Sequence, residues 1–162
     1  MFQYSLAQYA FQLGYCQAMM KDIDDLQLTY QPLPGVHHPA WILGHLVLSS
    51  DGIAKLVGQP SGVSEAWGKL FGRGSQLQGE RSLYPTKAVL LGALVQAHER
   101  AVEVLASAPP EAFAKPNPLP LEPLKVLPTV GNLITHLLTT HEAIHLGQLS
   151  FWWRCVGLPA LF

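Results

Sequence analysis

Cysteine is scarce. Only Cys16 and Cys155 occur in 162 residues, far apart and in no CxxC pair. That usage excludes a disulfide framework and fits a reduced, cytoplasmic protein, with one disulfide between the two left open. Charge is sparse as well: 13% of residues, ten basic against eleven acidic, for a net charge of −1. No Lys/Arg block exists, so neither nucleic acid nor an anionic membrane surface is an expected partner. No apolar run reaches the ~20 residues that a membrane span needs. Strand-like alternation and internal repeats are missing too.

The first twenty residues carry no charged side chain, which raises the question of a secretory leader. They lack a basic start, and Gln3, Gln8, Gln12 and Gln17 interrupt the apolar stretch. Phe2, Leu6, Tyr9, Leu13, Cys16 and Met20 instead recur at steps of four and three, the spacing of a core-facing helix that ends near Lys21–Asp25.

What is present is apolar bulk, 49% of the chain, enough for one packed domain over 1–162. After the Pro32/Pro34/Gly35 loop, Pro39 suits the first turn of a second helix, His38 to about Val57, closed by Gly58 and Pro60. Trp41, Ile42, His45, Leu48 and Leu56 line one side of it. Residues 59–84 are rich in Gly, Ser and Gln and read as a loop, with a short helical piece around Glu65–Phe71. A third helix spans about Pro85–Ser107, with Leu91, Leu94, His98, Val102 and Leu105 inward. Seven prolines between Pro109 and Pro128 forbid regular helix and make a crossover strap. Thr129 then caps a final helix that Gly157 and Pro159 stop. Four long helices with two long connections predict an all-α four-helix bundle.

The final helix carries the chemistry. Between Thr129 and Cys155 the only charged side chains are Glu142 and Arg154. His141, His145 and Gln148 fall in register with the apolar positions Ile134, Leu138, Trp152 and Cys155. Residues four apart on a helix differ by ~40° around the axis and ~6 Å along it, so both imidazoles leave one face. Two histidines on a face due for burial carry an unmet polar demand, which a divalent metal satisfies. His45, on the apolar stripe of the second helix, is the candidate third ligand. Three histidines with an open position are the ligand set of a catalytic metal centre, with zinc, nickel, copper or iron as fitting ions.

The same residues match HExxH, the helix of zinc proteases, in which Glu142 would be the general base. Only 17 residues follow His145, none of them His, Asp or Glu, and the strands of such proteases are missing, so a protease is disfavoured. Glu142 either bonds a ligand imidazole or faces solvent, and solvent is favoured. His98 could be a fourth ligand or a proton shuttle, but a core histidine bonded to a carbonyl is the simpler reading. His136, five residues before His141, lies ~140° away on an α-helix and points elsewhere. His38 belongs to the helix cap and could reach the cavity. Gln148 could support a ligand or pack, Trp41 and Trp152 read as core or cavity wall, and Cys155 reads as packing.

Two segments carry a family resemblance. Ala40-Trp41-Ile42-Leu43-Gly44-His45-Leu46 resembles the second-helix motif of the DinB/YfiT-like metalloenzymes. His141 to Leu149, followed by Gly157-Leu158-Pro159, resembles their last-helix motif, H-x-x-x-H-x-G-Q-L with a Gly-x-Pro ending. The resemblance implies an unusual four-helix bundle, often a homodimer, with a divalent metal on His45, His141 and His145. It also implies, for some members, S-transfer from a low-molecular-weight thiol to a small electrophilic substrate. Zinc or nickel is the leading expectation, with iron or manganese as alternatives. A metal with an open position would equally serve a hydrolase, and a non-catalytic metal- or small-molecule-binding bundle is the plainer alternative. Charge-poor helices should leave apolar surface for a homodimer, with the first helix, Trp152 and Trp153 as candidate contacts.

Overall fold

His38 opens helix α2, Pro39–Leu56, by local chemistry. Its backbone is extended and its Nδ1 accepts the Trp41 N–H at 3.2 Å. Pro39 occupies the first helical turn, where the missing N–H would have no partner anyway. The computed structural model describes residues 1–119 and 121–161; Pro120 of the strap lies outside them. Around α2 stand α1 (Gln3–Lys21), α3 (Glu65–Phe71), α4 (Lys87–Ser107), α5 (Pro110–Ala114) and a composite last helix. That last helix joins α6 (Val130–His136), a π-helical segment (Leu137–His141) and α7 (Glu142–Cys155). Four long helices thus form the expected all-α bundle, with α2 packed against α4, α3 and α7. Among the described residues no strand occurs; one isolated bridge joins Pro116 to Thr129.

The core falls into two clusters. One gathers Met19, Met20, Ile42, Leu43, Leu90 and Trp152; the other gathers Phe2, Tyr9, Ile53, Leu105, Phe113 and Ile134. Each such side chain contributes about 1.5–3 kcal/mol on leaving water. The α1 stripe buries Phe2, Tyr9, Cys16 and Met20, with Leu6 and Leu13 partly covered. On α4 the buried face is Leu90, Leu94, Ala97, His98, Ala101 and Leu105, whereas Val102, expected inward, is 42% exposed. Small residues explain the difference. Ala97 and Ala101 sit on the buried face, and a reading by hydrophobicity alone prefers the larger valine.

Three further expectations change. Cys155 is exposed rather than packed. Trp152 and Trp153 are both buried within the chain, so neither is a surface contact. The proline-rich stretch does hold a short helix, because Pro110 stands in the first turn of α5, where proline is tolerated. Phe113 of α5 then packs edge-on against Phe2, with ring centroids 5.2 Å apart. Beyond α5 the strap is tied by backbone chemistry. Asn117 Nδ2 donates to the Leu127 carbonyl at 2.9 Å, and the Val130 N–H donates to the Lys115 carbonyl at 2.8 Å.

The π segment is the main departure from a regular bundle. Val130, Ile134, Leu138, Glu142 and Leu146 are all buried, at strict steps of four. On a pure α-helix such a ladder would drift by ~40° per step and leave the core face. One wider turn absorbs the drift, as single π turns do, commonly at functional sites. His141 is its last residue.

Candidate metal centre

Three elements bring three imidazoles together: α2 supplies His45, the end of the π segment His141, and the first turn of α7 His145. One ring nitrogen from each lies within 4.8 Å of the other two. Ring centroids are 4.6 Å apart for His45–His145, 4.7 Å for His141–His145 and 5.3 Å for His45–His141.

Two of the rings are oriented from behind. His45 Nδ1 lies 2.8 Å from the Phe71 carbonyl, an acceptor only, so it carries the proton and Nε2 keeps a lone pair. His145 Nδ1 lies 3.1 Å from Gln148 Oε1, with the same result. Bonds of this kind fix tautomer and ring angle in metal-ligating histidines. His141 Nδ1 is buried and has no hydrogen-bond partner among the described residues. Such an orphan is costly unless something outside the chain meets it.

The approach of Phe71 depends on a glycine. A Cβ on Gly44 would lie 2.3 Å from the Phe71 ring, so only glycine lets α3 close on α2 at this point. On the other side, Trp41 stacks on His45 at 4.6 Å and 9°, and its Nε1–H donates to Ser75 Oγ at 2.7 Å.

Burial keeps the cluster neutral. It lowers the His141 pKa to about 3, helped by the neighbouring His145, His45 and His136 rings. It lowers His145 to about 4, with His45 adding and the Gln148 bond opposing. His45 is also lowered by burial, against the Phe71 carbonyl. Neutral imidazoles offer their lone pairs near pH 7 without first releasing protons.

The other histidines and Glu142 take different places. Glu142 faces neither solvent nor a ligand imidazole. It is buried, 3.1 Å from His98 Nε2, though not in line for a well-directed hydrogen bond. Burial raises its pKa, with His98 opposing. His98 therefore meets a carboxylate rather than a carbonyl, and it stacks on Tyr9 at 3.7 Å. His38 is fully buried at the α2 cap, edge-on to Tyr84. His136 corrects the sequence reading: its ring is 5.9 Å from His141 and both line one cavity. In an i→i+5 turn, residues five apart become neighbours on successive turns, which the α-helical angle of ~140° does not foresee.

That cavity, about 690 Å³, opens beside the cluster. His45, Leu48 and Gly52 of α2 form one wall, Leu133 and His141 another, and the strap closes it with Pro118, Leu119, Leu121 and Leu124.

Three neutral imidazoles, two held by their outer nitrogens and the third with a buried nitrogen unmet, are a donor set that fits zinc, nickel, copper or iron(II). Fold and site together define an all-helical bundle with a histidine cluster able to hold one divalent metal beside an apolar cavity. The chain belongs to the DinB superfamily, whose family model matches residues 8–149. No curated protein and no solved structure matches it significantly.

Proposed function

We propose that the protein is a metal-dependent enzyme in which His45, His141 and His145 hold one divalent ion, zinc or nickel before iron or manganese. A low-molecular-weight thiol S-transferase is the activity it fits best. The observation that carries this reading is the meeting of three ring nitrogens within 4.8 Å at the wall of a cavity formed partly by His45 and His141. Among the described residues three protein donors converge there, which leaves a coordination position for a small molecule.

When bound, the metal would acidify a thiol or water in that position and so favour a nucleophilic anion near neutral pH. The chain supplies the rest. The Phe71 carbonyl holds the outer proton of His45 and so fixes its tautomer, and Gln148 holds the His145 ring in place. Trp41 covers the His45 face and keeps water from it. The apolar walls hold an organic substrate against the cluster and limit water, which disfavours simple hydrolysis relative to transfer. A metal-dependent hydrolase is the second reading, since the same centre could acidify water. Cys16 and Cys155 are free thiols, and a cytoplasmic location is the setting they suit.

Metal content, by mass spectrometry of tag-free protein, tests the centre. Wild type should hold close to one equivalent of zinc or nickel, and His145→Ala should lose it. Conjugation of glutathione, bacillithiol or mycothiol to a chromogenic electrophile should then need the metal. Wild type that stays empty after incubation with zinc, nickel, iron and manganese would sink the proposal and leave a helical binding module.

The protein is also proposed to act as a homodimer. Tyr4 and Phe11 of α1 and Ile144 and Phe151 of α7 are each at least half exposed, each pair seven residues apart on its helix. Seven residues return a side chain to nearly the same helix face, and α1 packs on α7. Sedimentation should give a dimer mass that Phe11→Glu with Phe151→Glu reduces to a monomer. A monomeric wild type at micromolar concentration would refute it.

A further inference from the structure

The cavity has a charge pattern as well as a shape. Among the described residues its lining holds three cations, Lys55, Arg73 and Lys115, and no carboxylate. Lys55 is shared with Asp51 at 3.3 Å. Arg73 and Lys115 have no acidic partner among the described residues. Between the cations the wall is almost wholly apolar. Its one hydroxyl, on Ser49, is spent on the His45 carbonyl at 2.9 Å.

The cations divide between the two ends. Lys55 follows His45 by ten residues on α2, so it stands ~15 Å further along the axis. Lys115 belongs to that distant end too. Its carbonyl takes the Val130 N–H, and Val130 packs in one cluster with Ile53 and Val57. Arg73 lies two residues beyond Phe71, whose carbonyl holds His45, so it stands at the histidine end. The result is a long apolar slot with the histidines at one end and two lysines at the other.

Resting on the reading of that site as a metal centre, we propose that its organic substrate is an amphiphilic anion, of the class of medium-chain or aryl-alkyl carboxylates. The carboxylate meets Lys55 and Lys115, the apolar body lies along Leu48, Gly52, Leu133 and Leu137, and the far end reaches the histidines. A neutral molecule of the same shape would leave the lysines unused, and a cationic one would be repelled. Surface charges give modest discrimination each, so selectivity of several-fold rather than thousands-fold is the expectation.

Calorimetric titration at low ionic strength, with protein both chelator-treated and metal-loaded, tests this with decanoate, decan-1-ol and decylamine. Decanoate should bind about tenfold more tightly than decylamine, and severalfold more tightly than the alcohol. Lys115→Gln should weaken decanoate by about three- to fivefold and leave the alcohol unchanged. Gly52→Phe should abolish binding of all three, because it fills the slot. A Cβ at Gly52 meets nothing within 4 Å, so a side chain can leave the helix there without a backbone clash, and Gly52→Leu is a second occluding variant, with the helix content of both checked by circular dichroism. Equal affinity for the three probes, binding that survives both occluding variants, or no binding at all would overturn the proposal. Protein that binds decanoate selectively but takes up no metal would refute the metal centre and leave the slot as an anion-binding site without it. Metal uptake without decanoate binding would do the reverse.

Discussion

The Phe71 carbonyl accepts the Nδ1 proton of His45 at 2.8 Å, and it can do so only because residue 44 is glycine. The Gly44 gap and the His45 ring angle are therefore one device. Gly44→Ala should push α3 away, cost about 1–3 kcal/mol by overpacking, and weaken metal affinity. Gly14→Ala, at an exposed α1 position where a Cβ meets nothing within 4 Å, should instead stabilise by about 0.5–1 kcal/mol. Urea unfolding of both variants, with metal titration of the first, decides the matter. Equal stability effects would separate glycine from the site.

Gln148 should act on the metal and not on the fold. Its Oε1 holds His145 Nδ1, and its side chain is only half-buried. Gln148→Leu should lower metal affinity about 10–100-fold, with the unfolding midpoint of the metal-free protein nearly unchanged. Competition with a chromogenic chelator measures it. An unchanged affinity would make the contact incidental.

The Glu142–His98 pair should matter for stability rather than for metal content. His98→Ala leaves the buried Glu142 without its neighbour, and Glu142 can relieve its charge by taking a proton. The cost should therefore be roughly 2–3 kcal/mol, in the range of an orphaned buried polar group. Glu142→Gln should keep close to one equivalent of metal. Loss of metal in that variant would give Glu142 a role at the centre that its position beside His98 does not suggest.

Much of this was readable from residues, and the exceptions have physical causes. The helices, the caps at His38 and Thr129 and the inward set of α1 followed from spacing, because each rests on chemistry within a few residues. The meeting of His136 and His141 did not follow. It depends on the π turn, whose trace is the run of steps of four through Val130, Ile134, Leu138, Glu142 and Leu146. With Glu142 taken as solvent-facing the ladder loses a rung and its period is hidden. The inward face of α4 departs from the hydrophobic pattern at Val102 for another reason: Ala97 and Ala101 are small, and fit against a neighbour is not written in hydrophobicity.

Acid should destabilise the metal-free protein well above the range of carboxylate titration. His141 and His145 have folded pKa values lowered to about 3 and about 4, from 6.5 when unfolded. Between those limits the unfolded chain binds protons that the folded chain refuses, so stability rises with pH there. The loss should begin as pH falls through about 6.5 and continue to about 3. Replacing His141 and His145 together by Gln should flatten that slope in urea titrations over the interval. An unchanged slope would place the buried proton refusal elsewhere, for instance at His38, lowered to about 4 by burial.

The single wide turn at Leu137–His141 also has a mechanical meaning. It makes the last helix two rods with separate phases, joined end to end. The rod from Glu142 onward is locked by His145, Leu149, Trp152 and Trp153, while the rod before it carries Val130, Leu133 and His136 into the cavity wall. A change in how the turn is wound would re-aim that wall and carry His141 with it, while His145 on the later rod would keep its place. Cavity outline and ion-site spacing are therefore coupled through His141, which belongs to the turn, the wall and the histidine cluster at once.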